Sequence, residues 1–295
     1  MIIVRLISGL GNQLFQYAIA REISLRNKTN LKLDISFFEG QNLRSFQLDN
    51  FNINALLATQ DDLSKFKKLR SSLSLKYKIQ RKIERFLPKY KQTNFVEDNL
   101  WLYDKDLIKI KKDTYIDGYW QNQKYLINLQ PLLFEELTLK NISNSNYFRY
   151  LSLIKEKKSV SIHIRRGDYL TDAHANNSFG ILPIEYYHDA INYIKSKVLN
   201  PAFFIFSDDL DWAEKQFKIK MTATFVKIEN GQQPCLELDL MSKCEHNIIA
   251  NSSFSWWGAF LNRNSNKIVI MPKKWVLDEN TNNKINLRLS TWIQL

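Results

Sequence analysis

Four stretches of the chain set glycines or charged, hydroxyl and aromatic side chains directly after a run that reads as a buried strand, where a ligand could be held. In HIRRGDY (163–169) the strand-like run 160–164 is followed by Arg165, Arg166, Gly167 and Asp168. Guanidinium groups are rigid forks of donors suited to phosphate, a geometry that lysine does not reproduce. Side chains alternate along a strand, so Arg165 and Arg166 are expected to face different partners. The plainer reading is a surface Arg–Asp pair of little energetic weight, against which stands the cost of leaving two arginines at a buried strand's end without partners. In NSSFSWWGA (251–259), Ser252, Ser253 and Ser255 meet the free N–H groups of a helix start, which makes a second phosphate cradle. Trp256 and Trp257 read as core.

In FSDDLDW (206–212), Ser207 or Asp208 suits the cap of the next helix, and a carboxylate there also suits hydrogen bonds from a base or ribose. Asp209, Leu210 and Asp211 spell the DxD pattern by which many metal-dependent sugar transferases hold manganese. Two residues apart on a helical turn, their carboxylates face different ways, so no metal is expected. In GLGNQ (9–13), glycines let backbone N–H groups approach an anion, with a tight turn as the alternative. The dinucleotide fingerprint needs a glycine where Leu14 stands, which disfavours nicotinamide and flavin. GYWQNQKY (118–125) offers Tyr119 and Trp120 as stacking platforms for a sugar, with packing as the stronger reading. The four histidines are scattered, and Cys235 and Cys244 fit neither a disulfide framework nor a zinc site.

The elements that must position these groups alternate strand and helix. Residues 2–7 read as a strand, the apolar residues from Leu14 to Leu25 as a helix, and 31–35 as a second strand, a β-loop-α-β opening that predicts a parallel sheet. The polar run KNISNSN (140–146) reads as a linker. Beyond it, strands are expected at 160–164, 202–206, 224–228, 247–250 and 267–271. Helices are expected between them, one opened by Pro183. The economical architecture is α/β, with domains 1–150 and 151–295, each built on a parallel sheet.

Size and composition agree: 295 residues suit two domains or one large one, and 44% apolar residues exclude a disordered or fibrous chain. The opening lacks the pattern of a signal peptide, and no apolar run reaches the roughly 18 residues of a membrane span. With so few cysteines a cytoplasmic setting is expected. The formal charge is +12, and residues 65–91 hold +10 of it, with eleven Lys and Arg against Glu84 alone. Phosphate backbones attract such a run, but no nucleic-acid module accompanies it, so nucleic acid is not expected as a partner. Apolar residues at Phe66, Leu69, Leu73, Tyr77, Ile83 and Phe86, with Pro88 ending the pattern, make 65–91 a basic amphipathic surface helix or hairpin. It suits an anionic membrane surface, and a simple solvated helix face stays open beside that reading.

In order along residues 5 to 272, GLGNQLFQYA, GYWQNQKY, HIRRGDY, the FSDD turn and NSSFSWWGA resemble the motif set of the α-1,2-fucosyltransferases of glycosyltransferase family 11. Each motif is short; jointly they are specific. The resemblance implies a GT-B-type fold, two Rossmann-like domains with parallel sheets facing across a cleft, the C-terminal half holding GDP-fucose and the N-terminal half the acceptor. It implies inverting, metal-independent transfer of L-fucose from GDP-β-L-fucose to O2 of a terminal galactose, in a cell-surface glycan such as O-antigen, with no cofactor beyond the co-substrate. A lipid-linked acceptor would bring such an enzyme to the inner face of the plasma membrane. Transfer of another GDP-sugar, or in another linkage, is the alternative.

The wider superfamily, with the α-1,6- and protein O-fucosyltransferases, shares an HxRR element, matched here by His163, Arg165 and Arg166. By that similarity Arg165 binds the β-phosphate and stabilises departing GDP, and Arg166 belongs to the same substrate site. His163 and Asp208 contact the guanosine, and Ser252, Ser253 and Phe254 meet phosphates or ribose. Gly11 and Asn12 match a loop that closes on the donor. The α-1,6 relatives carry a glutamate where Ala173 stands here, which leaves the acceptor's base open. Asp168 is favoured over Asp172, with two alternatives: Asp168 braces Arg166, or the phosphate of GDP takes the proton.

Overall fold

The computed structural model describes residues 1–41, 43–71, 79, 82–84, 86–111, 113–167, 170, 173–217, 223–228 and 234–295, with backbone alone at 67–71 and 173–175. The chain divides into two compact units, Met1–Thr138 and Leu139–Leu295. A division at 150 would cut the helix Ser145–Lys155, which lies wholly in the second unit.

The first unit is built on a parallel sheet of order β3-β2-β1-β5-β4, with β1 (Ile2–Arg5), β2 (Leu31–Asp34), β3 (Leu56–Leu57), β4 (Asn94–Val96) and β5 (Thr114–Asp117). Helix α1 (Leu10–Arg26) buries Leu14, Phe15, Ala18 and Ile19, and α2 (Gln60–Ser71) seats Leu63 and Phe66 against Ile3 and Tyr115. Strands covered on both faces must be apolar on both, and Ile2, Ile3 and Val4 are fully buried. The glycine loop is shorter than its sequence indicates. Gly9 caps α1, and Gly11 and Asn12 already belong to its first turn. Helix α3 (Gln130–Glu136) closes the unit.

The second unit carries a parallel sheet of order β11-β10-β9-β6-β7-β8. Its strands are β6 (Ser159–Ile164), β7 (Ala202–Ser207), β8 (Ala223–Phe225), β9 (His246–Ile248), β10 (Val269–Met271) and β11 (Ile293–Gln294). Its helices include α4 (Ser145–Lys155), α5 (Ala173–Phe179), α6 (Ile184–Lys197), α7 (Leu210–Phe217), α8 (Pro234–Lys243) and α9 (Ser253–Leu261). Every residue of β6 is buried, yet its sequence SVSIHI alternates apolar and polar. Val160, Ile162 and Ile164 pack on Tyr187, Ala190 and Ile194 of α6, each burial contributing roughly 1.5–3 kcal/mol.

The other face is polar, and its hydroxyls are satisfied. Glu245 N donates to Ser159 Oγ at 3.1 Å and Asn247 Nδ2 to Ser161 Oγ at 2.8 Å. His163 is next on this face, at the end of the strand. In each unit the strand order reverses beside the first strand, between β1 and β5 and between β6 and β9. Open α/β sheets bind ligands at such switch points, beyond the carboxyl ends of the strands.

Candidate functional site

The second switch point gathers most of the residues picked from sequence. After β6 the chain turns through Arg165, Arg166 and Gly167, and this turn is organised by Asp208, just after β7. Asp208 Oδ1 accepts N–H bonds from Arg166 and Gly167 at 2.8 and 2.9 Å, while Oδ2 lies 3.1 Å from Arg165 Nη1. Gly167 is needed for the approach, because a Cβ there would stand 3.2 Å from both the Asp208 carboxyl carbon and its carbonyl oxygen. Asp208, placed at the guanosine by resemblance, thus has both oxygens engaged in holding the arginine turn.

The two arginines diverge, as strand alternation predicts. Arg166 Nε lies 3.3 Å from Asp209 Oδ2, and its guanidinium sits 4.6 Å from the centre of the Trp212 ring. Asp209 also takes the capping role expected of Ser207 or Asp208: its Oδ1 accepts from Trp212 N at 3.2 Å at the start of α7. The DxD pattern therefore spends its first carboxylate on a helix cap and an arginine. Among the described residues no group of three or more His, Cys, Asp or Glu could hold a metal.

Across the switch point, Ser252 caps α9 by accepting from Phe254 N at 3.3 Å, which leaves the helix start facing the end of β6. The His163 ring is buried with its centre 5.4 Å from that of half-buried Phe254, so the histidine and the serine-rich helix start meet. Trp256 and Trp257 are core: Trp256 stacks on Phe260 at 5.0 Å and donates Nε1–H to Leu287 O at 2.8 Å. Gly258 lets α9 approach α8, since a Cβ there would meet Met241 Cβ at 3.0 Å. Asp168 lies outside the described residues, as does Asp172.

One residue of this site was not picked from sequence. Glu237, in the first turn of α8, is pushed up to about 7, mainly by burial and further by the Asp208 carboxylate; no cation offsets the push among the described residues. Its sequence signal is a helical acid whose neighbours three and four positions away are Gln233, Pro234, Leu240 and Met241, none of them basic.

Gly11 and Asn12 lie in the other unit, at the switch between β1 and β5. Asn12 Nδ2 donates to Ser8 Oγ at 2.9 Å, and Gln121 Nε2 donates to Asn12 Oδ1. The GYWQ loop that carries Gln121 is held by Glu97, which accepts from Tyr119 N at 2.7 Å and Trp120 N at 3.1 Å. Burial pushes Glu97 up to about 7 against those two bonds. Trp120 is buried against Phe95, so it packs, while Tyr119 is half-buried.

A guanidinium braced at a strand end and a capped helix start that meets a buried histidine are the equipment of a nucleotide-sugar site on an α/β sheet. Fold comparison agrees on the architecture. Fucosyltransferase NodZ from Bradyrhizobium superposes with a TM-score of 0.51 over 87% of this chain and 91% of that one, at 14% identity, which gives a GT-B-like fold. The model of glycosyl transferase family 11 matches residues 1–295, and the chain belongs to that family. Among its relatives, the O-antigen biosynthesis glycosyltransferase WbnK of Escherichia coli is 32% identical over 312 residues, 97% of this chain and 98% of that one. An alpha-1,2-colitosyltransferase of Escherichia coli is 34% identical over 285 residues, 96% and 94% of the two chains. The chain is thus a glycosyltransferase, and among the described residues no helix is long and apolar enough to cross a membrane.

Proposed function

We propose that this glycosyltransferase moves L-fucose from GDP-β-L-fucose to O2 of a terminal galactose, inverting the anomeric carbon and using no metal. The observation that carries the reading is the convergence of Arg165, braced by Asp208, and the start of α9, met by His163, on one switch point. Each meets a different part of a guanosine diphosphate. As the glycosidic bond breaks, negative charge builds on the departing diphosphate. A fixed guanidinium and oriented N–H groups stabilise that charge in the transition state more than in the ground state. Asp208 keeps Arg165 in place without reorganisation, while His163 and Phe254 flank the ribose.

Glu237 supplies what the resemblance assigned to Asp208. An ionised carboxylate accepts two hydrogen bonds side by side, and the Watson–Crick edge of guanine presents N1–H and N2–H₂ in that arrangement. Binding GDP then selects the ionised form of Glu237. The first unit holds the acceptor in this reading, and Asp168 or the phosphate of GDP takes its proton.

A second reading is favoured by the alpha-1,2-colitosyltransferase relative: the same α-1,2 transfer with a different deoxysugar. Incubation with GDP-fucose and with GDP-colitose against a panel of galactosides, followed by linkage NMR, separates the two. Turnover is expected to persist in EDTA, and Arg165→Lys is expected to abolish GDP binding in calorimetry. Unchanged affinity in that variant would sink the site assignment, and turnover that EDTA stops and Mn²⁺ restores would sink the metal-free mechanism.

A further inference from the structure

We propose that Ile79, Ile83, Phe86 and Leu87, with Lys82, form a docking surface for an anionic phospholipid bilayer, a property independent of which sugar the enzyme transfers. The charge of the chain is concentrated around this surface, since 65–91 carry +10 of the net +12. Charge alone would fit any polyanion. The structure adds an apolar stripe: Ile79, Ile83, Phe86 and Leu87 are 52, 57, 82 and 36% exposed. Residues 79 and 82–84 are helical, and in sequence the spacing of four, then three and four, is that of side chains sharing one helical face.

The single acid of the segment faces away from that stripe. Glu84 accepts from Thr93 N at 3.2 Å and also from the Thr93 hydroxyl, which ties it to the start of β4. Lys89 likewise turns inward, donating to Asp98 at 2.6 Å and Asp104 at 2.9 Å. Among the described residues, exposed Lys82 lies within the same stretch of exposed apolar side chains. Four exposed apolar side chains gain nothing from a phosphodiester backbone, which rewards cations alone. At a bilayer surface both features are used, the stripe entering the headgroup boundary and the lysines and arginines meeting anionic lipid.

The test is co-sedimentation of the full chain with vesicles of phosphatidylcholine alone and of phosphatidylcholine with about one third phosphatidylglycerol. Two variants accompany wild type: Lys76, Lys78, Arg81 and Lys82 all changed to Gln, and the pair Ile83→Ser with Phe86→Ser. Wild type is expected to sediment with the anionic vesicles and release in high salt. Losing four charges lowers the partition coefficient by up to about a thousand-fold, and the serine pair lowers it by at least about tenfold. Both variants are expected to keep wild-type turnover on a soluble acceptor and the wild-type unfolding midpoint, which separates lost docking from misfolding. Equal sedimentation of all three proteins overturns the proposal. So does binding of all three to an RNA homopolymer with an affinity that the serine pair leaves unchanged while anionic vesicles go unbound, which would make the segment a nucleic-acid patch.

Discussion

Replacing Glu237 with Gln tests the base-reading role through two independent quantities. The folded protein holds this carboxyl at about 7 against an ordinary 4.5, because burial and the nearby Asp208 charge penalise the ionised form. The folded state therefore binds a proton more tightly than the unfolded chain. Stability falls as pH rises from about 4.5 to about 7, and the whole deficit is present above that. At 1.36 kcal/mol per pH unit the shift amounts to roughly 3 kcal/mol. The amide carries no charge, so Glu237→Gln is expected to be more stable than wild type at pH 8 by up to about 3 kcal/mol and to match it near pH 4.5. The gain comes at the expense of binding.

A carboxylate paired with N1–H and N2–H₂ gains a charge-assisted bond from the 2-amino group, worth about 1.5–3 kcal/mol. Wild type should prefer GDP over IDP, which lacks that group, by about tenfold to a hundredfold, and the variant should lose most of the preference. Urea denaturation of the ligand-free protein at pH 4.5 and 8 reads the first quantity, and calorimetry with GDP and IDP the second. A stability difference that is the same at both pH values refutes the argument from a desolvated, proton-holding carboxyl; equal wild-type affinity for GDP and IDP refutes the base contact.

Three further outcomes follow from the same geometry. Gly167→Ala sets a methyl group 3.2 Å from the Asp208 carboxyl and should weaken GDP binding about tenfold by calorimetry, with little change in unfolding midpoint. Gly118→Ala would place its Cβ 2.4 Å from Glu97 Cβ and 2.8 Å from the Trp120 ring, so it should destabilise the protein by more than about 2 kcal/mol in urea. Wild-type GDP affinity should rise with pH up to about 7 and then level off, because the ligand selects ionised Glu237, and Glu237→Gln should flatten that limb in calorimetry at stepped pH.

Most of the second unit was legible in the sequence because β6 alternates cleanly and β7 is apolar up to its last residue, and because its polar groups sit at strand ends, where a parallel sheet puts ligands; the two-residue edge strand β11 was not read. The first unit was less so. β5 lies beside β1 at the centre of its sheet, but it is four residues long, starts with Thr and ends with Asp, so periodicity has little to act on. β3 has two residues and exposed side chains. In the site, spacing placed Arg165, Asp208 and Ser252 at strand ends correctly, but it cannot say which way a carboxylate points. Asp208 and Asp209 are adjacent and chemically identical, yet one holds the arginine turn and the other caps α7. Glu237 escaped because L-E-L-D-L in a helix reads as a surface face until packing shows that the acid is only partly exposed and lies near the Asp208 carboxylate.

The first unit carries its own mark of function. Two non-glycine residues at its switch point, Ser8 and Trp120, adopt positive φ, at 68° and 58°, in the turns that follow the adjacent strands β1 and β5. Each such residue costs of order 1–3 kcal/mol and persists only where its surroundings enforce it. The enforcement is visible at both. Glu97 takes two N–H groups of the Trp120 turn although burial raises its own pKa, and Gly118 leaves room for the Glu97 Cβ and the Trp120 ring. Ser8 is held through its hydroxyl by Asn12 and through its carbonyl by Gln13 Nε2 at 3.0 Å. The strained turns are then joined by Gln121 and Asn12. A fold that needed only to pass from strand to helix would do so with glycine at these positions. Glycine is present one residue after Ser8 and two before Trp120, so the strained positions carry side chains with work of their own: the Ser8 hydroxyl accepts from the carboxamide of Asn12, and Trp120 packs on Phe95 and so fixes the loop whose next residue, Gln121, donates to Asn12 Oδ1.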